Sequence, residues 1–192
     1  MGTGRTAGVV LAAGAGRRFG GPKALVEHRG SLLVERAARA LAGGGCGAVL
    51  VVLGAGAEQV RERADLAGAR TLLNPDWPSG MGSSLRTALD ALEDAPVEAA
   101  VILPVDMPGV GSTAVRRVVA LSSPTALAAA SHAGRRSHPV LLGREHWPGC
   151  RAAATGDTGA RDYLIHHEVT LVSCDDVADG RDVDRPADLE PG

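Results

Sequence analysis

The chain has 192 residues, 45% of them hydrophobic, which is enough apolar material for one sizeable core and predicts a single domain over 1–192. With 20 basic and 22 acidic residues the formal charge is −2, so no global field draws the protein to nucleic acid or to an anionic membrane, and any anion site must be local. Aromatic residues make up 2%, which excludes the stacking platforms that bind single strands, and no segment reaches the ~18 apolar residues of a membrane helix.

In chain order, Ala7 to Ala12 is a Val-rich apolar run and reads as a buried strand. After a Gly-rich loop, Ser31 to Ala42 carries apolar residues at three- and four-residue spacing and predicts a helix. The alternation continues with a strand at Ala48 to Leu53, a helix at Ala57 to Leu66 and a strand at Arg70 to Leu73. A helix at Ser83 to Leu92, a strand at Ala99 to Pro104, a helix at Ser112 to Leu121 and a strand at Ala126 to Ala130 follow. This pattern predicts an α/β fold: a doubly wound, mainly parallel (mixed) sheet with helices on both faces, Rossmann-like, with ligands at the carboxyl ends of the strands. Residues 131–159, rich in Gly, Arg, His and Pro, break the regularity and read as a substrate-side insertion with one short strand-like stretch, Pro139 to Leu142. Val169 to Ser173 predicts a last strand, and the polar tail from Gly180 to Gly192 is expected on the surface.

Cys46, Cys150 and Cys174 are odd in number and in no CxxC or metal-ligand spacing, the pattern of reduced thiols in a cytoplasmic protein. The apolar run after Arg5 is interrupted by Gly and falls short of the ~7–15 apolar residues of a secretory signal.

The loop LAAGAGRRFGGPK, Leu11 to Lys23, combines four glycines with Arg17, Arg18 and Lys23 directly after a strand. Glycine lets backbone N–H groups approach phosphate oxygens while the cations neutralise charge, so the run reads as a phosphate cradle. It lacks the GKS or GKT ending of a P-loop and the GxGxxG spacing of a dinucleotide fold. Asp106, delivered to the end of the apolar strand in VILPVDMP, is placed either for a magnesium ion facing a triphosphate or as a cap for the helix near Ser112. In NPDWPSGMGSSL, Gly80 and Gly82 bracket Met81, and Ser83 or Ser84 can cap the next helix while presenting hydroxyl and N–H groups to a base or α-phosphate. Gly156, Asp157, Thr158 and Arg161 make an anion-suited corner, joined by Arg135, Arg136 and His138, the last of which reads equally as a structural histidine. His28, His146, His166 and His167 are expected on the surface.

LAAGxxxRxGxxK resembles the signature of nucleotidyltransferases that activate sugars, isoprenoid precursors and the molybdenum cofactor. The resemblance implies that Leu11, Ala12, Ala13 and Gly14 lie under the base and ribose, that Arg18 sits on the phosphates, and that Lys23 stabilises the transition state. Gly16 stands where many relatives carry Ser. The DxP of Asp106 to Pro108 resembles the metal motif of the molybdenum cofactor nucleotidyltransferases. GRDVDRPADL resembles the DxDTPxDL of its cytidylyltransferase branch, which implies a second metal ligand at Asp184, in preference to Asp182, with Asp188 capping the final turn. NPDWPSGMGSSL, SHPVLLG and GDTGARDYL resemble NPxWxxGMxxSL, GHPVLF and GDxGARxLL of the same branch, so the likeness spans nearly the whole chain. It implies a magnesium-dependent transfer of CMP from CTP to molybdopterin or the molybdenum cofactor, with pyrophosphate released and a molybdoenzyme as recipient of the product. Catalytic residues would be Arg18, Lys23 and Asp106; nucleotide contacts would add Gly80, Ser83 and Ser84; the acceptor would meet His138, Asp157 and Arg161; Asp106 and Asp184 would hold the metal. Met107 stands where that branch usually has Gln, and Phe19 where it has Met, which keeps a GTP-using guanylyltransferase open. The Gly-rich loop would equally serve a sugar-phosphate or isoprenoid-precursor nucleotidyltransferase, and the same fold without turnover would serve as a non-catalytic cofactor carrier.

Overall fold

The computed structural model describes residues 5–189. Its frame is a seven-stranded sheet in the order β5-β4-β1-β6-β8-β7-β9. The strands are β1 (Thr6–Ala12), β4 (Ala48–Leu53), β5 (Arg70–Leu73), β6 (Ala99–Pro104), β7 (Leu127–His132), β8 (Arg135–Gly143) and β9 (Thr170–Ser173), with a separate two-stranded ribbon of β2 (Glu27–His28) and β3 (Ser31–Leu32). β1 pairs in parallel with both β4 and β6, whereas β8 runs antiparallel to its neighbours β6 and β7, so the sheet is mixed and mainly parallel.

Every residue of β1 and of β6 is buried, which is why these strands read as continuous apolar runs instead of alternating ones. Their side chains still alternate between two faces. Val10, Ala12, Val101 and Leu103 pack with α1 (Leu33–Gly43), α2 (Ala57–Arg63) and α4 (Ser112–Val119). Val9, Leu11, Ala100 and Ile102 pack with α3 (Met81–Ala91), α5 (Trp147–Ala153) and α6 (Arg161–Ile165).

The α1 helix begins at Leu33, two residues later than its periodicity predicts, because Ser31 and Leu32 pair with His28 and Glu27 around the turn Arg29-Gly30. Both turn residues have positive φ, 51° and 74°, as a tight hairpin requires. Glu35 accepts the Leu32 N–H at 3.1 Å and fixes the helix start. The α3 helix starts at Met81, before the predicted Ser83, directly after Gly80.

Two expectations change. The stretch 131–159, read as an insertion with a short strand, supplies the nine-residue β8, which lies inside the sheet between β6 and β7. β7 and β8 join through Ala133 and Gly134, again at positive φ (50° and 72°). Their polar ends, Ser131–His132 and Arg135–His138, reach beyond the apolar stretch toward the carboxyl end of β6, so the apolar pattern that identifies a strand covers only Pro139 onward. The tail is also not a plain surface segment: Val183 is buried, and its N–H donates to the Asp106 carbonyl at 2.8 Å. Residues 1–4 and 190–192 of the predicted domain and tail lie outside the described residues. Among the described residues, no helix is long and apolar enough to cross a membrane.

Trp147 is 1% exposed and donates its indole N–H to the Leu142 carbonyl at 2.9 Å, locking α5 onto β8. Trp147→Ala should lower the unfolding free energy by about 3–5 kcal/mol in urea titrations, the usual cost of deleting a large buried aromatic. Trp147→Phe should lose less than half as much.

Candidate active site

The chain passes from β1 outward to β4 and β5, then returns to the other side of β1 as β6. The strand order therefore reverses at the β1/β6 junction, where open α/β sheets present a crevice at their carboxyl ends. The Gly-rich loop leaves β1 at this point and Asp106 follows β6, with the Val105 N–H donating to the Leu11 carbonyl at 3.0 Å.

The loop is closed on itself. Gly16 has φ +58°, its carbonyl accepts the Phe19 N–H at 2.8 Å, and a Cβ at this position would lie 2.0 Å from the Gly21 carbonyl oxygen. A serine cannot occupy that position in this loop conformation, which accounts for the glycine. The loop returns through Lys23, whose Nζ donates to Asp106 Oδ2 at 2.9 Å and to Asp184 Oδ1 at 2.8 Å. Arg18 Nη1 reaches the other oxygen of Asp184 at 3.2 Å. Burial disfavours the Lys23 ammonium, but hydrogen bonds to Asp184 and Asp106 and their charges outweigh it, so its pKa is raised. The hydrogen bond and charge of Lys23 pull Asp184 below the usual carboxylate range. Asp188 Oδ2 accepts the N–H groups of Asp184 and Arg185 at 2.9 and 2.7 Å, the capping role expected of it.

Two carboxylates thus converge on one cation position. Among the described residues no group of three or more His, Cys, Asp or Glu gathers into a metal cage. A pair of carboxylates beside an open cavity is nevertheless the ligand set that a hard divalent ion uses when phosphate oxygens and water complete its shell.

Two cavities meet at Asp106. One, of about 400 Å³, is walled by Leu11, Ala13, Gly14, Arg17, Lys23 and Ser84. The other, of about 550 Å³, has an apolar floor of Leu11, Ile102, Val140 and Leu164, with Arg135, Arg136, His138, Asp157, Arg161 and Asp182 above it. Leu11, Met81, Pro104, Asp106 and Asp157 border both.

The glycines around Met81 have a packing reason. Gly80 has φ +108° and a Cβ there would lie 2.4 Å from the backbone of Gly156, while a Cβ on Gly82 would lie 2.7 Å from Ala154. The Gly82 N–H donates to the Gly156 carbonyl at 2.8 Å and the Met81 N–H to Asp157 Oδ1 at 3.4 Å. The segments GMG and GDTG, far apart in sequence, form one interlocked wall between the cavities.

Not every expected residue faces the site. Ala12 points to the α1 side of the sheet because strand side chains alternate, so Leu11 and Ala13 line the cavity and Ala12 does not. Ser83 is buried with its hydroxyl donating toward the carbonyls of Gly80 (2.8 Å) and Asp76 (3.0 Å), so it braces the loop, whereas Ser84 borders the cavity. Arg18 stays on the rim, 70% exposed, and its neighbour Arg17 lines the wall. His138 lines the larger cavity, but burial and then the neighbouring Arg136 charge, against the opposing pull of Asp182, lower its pKa to about 4. It is a neutral imidazole near pH 7 and adds no cation to the corner. Of the histidines expected on the surface, His28 and His146 are half-buried, and His146 is bonded to the Tyr163 hydroxyl at 2.9 Å.

Asn74 opens NPDWPSGMGSSL, where the sequence assigns it no role, and supports the site from beneath: it is 1% exposed, and its amide donates to Ser83 Oγ at 2.8 Å and Ser84 Oγ at 3.0 Å. It holds the first turn of α3 against the loop that precedes it. Its signal in the sequence is an amide directly after an apolar strand, a type that is rarely buried unless hydrogen-bonded.

Residues 8–171 match the MobA-like NTP transferase domain family. Nicotine blue oxidoreductase of Paenarthrobacter nicotinovorans is 42% identical over 187 residues, covering 92% of this chain and 91% of that protein. Among solved structures, a homologue of Mycobacterium tuberculosis Rv0371c from Mycobacterium sp. strain JC1 aligns with a TM-score of 0.83 at 29% identity, over 98% of this chain and 94% of that one. The manganese complex of Rv0371c itself aligns at 0.75 and 25% identity over 88% of each chain, so a structural neighbour holds a divalent metal.

The Lys23 cluster has a defined pH response. The Lys23 pKa is raised, so its contribution to stability is fully present below 10.5 and is lost as pH rises through the folded value. The Asp184 pKa is depressed, so its contribution is present above 3.8 and is lost as pH falls through the folded value. The Tm difference between the parent and Lys23→Met should hold constant across neutral pH and shrink at both extremes; a difference that ignores pH would mean that the cluster does not stabilise the fold through charge.

Proposed function

The chain belongs to the MobA-like NTP transferase domain family and is a nucleotidyltransferase, and we propose that it moves CMP from CTP onto molybdopterin or the molybdenum cofactor. The observation that carries this reading is Lys23, held between Asp106 and Asp184 where two cavities meet. A reaction that joins two substrates at a phosphorus needs two adjoining chambers with concentrated positive charge at the seam.

In this reading the triphosphate lies in the smaller cavity, with base and ribose against Leu11, Ala13, Gly14, Gly80 and Ser84 and phosphates toward Arg17, Arg18 and Lys23. An acceptor phosphate oxygen, placed in the larger cavity by Arg161, Arg135 and Arg136, attacks the α-phosphorus in line. The bond from the α-phosphorus to the bridging oxygen breaks, and pyrophosphate leaves with the electron pair. The acceptor phosphate is already ionised near neutral pH, so no general base is required; neutral His138 orients the acceptor through hydrogen bonds. Lys23 donates to the phosphoryl oxygens as negative charge develops. Mg²⁺ held by Asp106 and Asp184 would supply charge neutralisation on the phosphates, with Lys23 moving from the carboxylates to the substrate. The apolar floor of the larger cavity suits a flat ring system with an anionic end. The product would pass to a molybdoenzyme.

CTP is favoured over GTP because Ala13, which lines the smaller cavity, and the interlocked segments Gly80 to Leu85 and Gly156 to Arg161 follow the cytidylyl pattern. A second reading, an oxidoreductase, is favoured by one observation: the 42% identity with nicotine blue oxidoreductase extends over nearly the whole chain.

Pyrophosphate release should be measured with CTP and with GTP, each with molybdopterin, beside reduction of nicotine blue by an added hydride donor. CTP-dependent, divalent-metal-dependent release with kcat/KM well above that for GTP is expected; dye reduction without pyrophosphate release would replace the proposal with the second reading. Asp106→Ala should abolish turnover with the fold intact by circular dichroism. Lys23→Ala should lower kcat by on the order of 10²-fold or more, the usual loss when a preorganised transition-state donor is removed. Arg18→Ala should mainly raise KM for the triphosphate.

A further inference from the structure

A third cleft, of about 650 Å³, opens beside the ribbon β2–β3 and the start of α1, lined by His28, Arg29, Arg36, Pro108, Arg181 and Asp182 among others. Two of the carboxylates along it are already engaged. Asp179 is taken up by Arg181, with contacts of 2.6–3.0 Å, and the Asp188 carboxylate is occupied by two backbone N–H groups. Arg36 has no carboxylate partner among the described residues: Nη2 donates to the Pro108 carbonyl at 3.3 Å, and the buried Nε has no hydrogen-bond partner. Burial first, then the like charges of Arg29 and Arg39, hold its pKa below that of an ordinary guanidinium. A partly buried guanidinium with an unfilled donor, facing like charges, is costly by itself and is relieved by an anion.

We propose that this cleft binds a phosphate group, with Arg36 as its central ligand and Arg29 and His28 at its rim. Phosphate suits the donor set because a tetrahedral dianion can accept from a planar guanidinium and from a second cation at once. The site is separate from the Lys23 cavity, but the two communicate through one strip of chain. Asp182 borders both this cleft and the larger cavity of the active site, the Val183 N–H is bonded to the Asp106 carbonyl, and Asp184 follows at Lys23.

The test is calorimetric titration of the full chain with orthophosphate, without nucleotide or divalent metal. Because phosphate can also enter the Lys23 cavity and the corner of Arg136 and Arg161, the triple variant Lys23→Gln, Arg136→Gln, Arg161→Gln isolates the third cleft and should keep one phosphate site. Arg36→Gln should weaken that site at least tenfold, and in phosphate-free buffer its Tm should match or exceed the parent's, since a like-charge repulsion has been removed. A guanidinium serving only the fold would instead lower Tm and leave phosphate affinity unchanged. Should Arg36→Gln not fold, Arg29→Gln, in the exposed turn, reports on the same site through weakened binding. Glycerol 3-phosphate in a parallel titration separates sources: affinity equal to orthophosphate identifies the free ion as sufficient, and tighter binding identifies an esterified phosphate, both in support. Unchanged binding in Arg36→Gln and Arg29→Gln, or loss of all binding in the triple variant, would overturn the proposal.

Discussion

The site depends on one ammonium. Lys23 Nζ ties the Gly-rich loop to Asp106, 83 residues away, and to Asp184, 161 residues away, so three distant chain segments are joined at one charge. Neither carboxylate is there by local preference. Asp106 is set by the end of a fully buried strand, and Asp184 by a tail that crosses the carboxyl edge of the sheet and is fastened there through Val183 and Asp188. Without the lysine, two like charges would face each other across a half-buried gap, which is also the arrangement that a divalent ion would neutralise.

Around that charge, close backbone approach does the positioning. Gly16 lets the loop fold onto Gly21, and Gly80 and Gly82 let the start of α3 sit against residues 154–157. These contacts bring backbone N–H groups and the Asp157 carboxylate to the border between the cavities without any side chain filling the space. The buried amide of Asn74 performs the same task from beneath, since its two donations hold Ser83 and Ser84 in register. In the proposed transfer, rigidity at this border would matter, because a misplacement of about 1 Å costs on the order of 10²-fold in rate.

The contrast between Lys23 and Arg36 is informative about charge. Lys23 is surrounded by carboxylates and its pKa is raised; Arg36 is partly buried and also faces Arg29 and Arg39, and its pKa is lowered. The first cluster is complete in the protein alone. Arg36 has no such carboxylate within the described residues.

The doubly wound sheet is legible in the amino-acid sequence, because strands buried on both faces must be apolar throughout and the helices between them must show a stripe, and both patterns are local. The sequence also marked the Gly-rich loop, Asp106 and the GMG and GDTG segments, since glycine and charge at an element boundary have few local explanations. What it could not carry was partnership. That β8 lies inside the sheet is hidden by its polar end, which enters the site instead of the core. That Ala12 and Ser83 turn away while Leu11 and Ser84 face the cavity follows from which side of the sheet α3 covers, a long-range packing outcome. The neutrality of His138 arises in the same way, from burial and the adjacent Arg136 in the assembled cavity. Only the tertiary structure decided that GMG and GDTG form one wall and that a tail aspartate meets a lysine from the first loop, because chain closure over such distances is set by the whole core and by no residue's own preference.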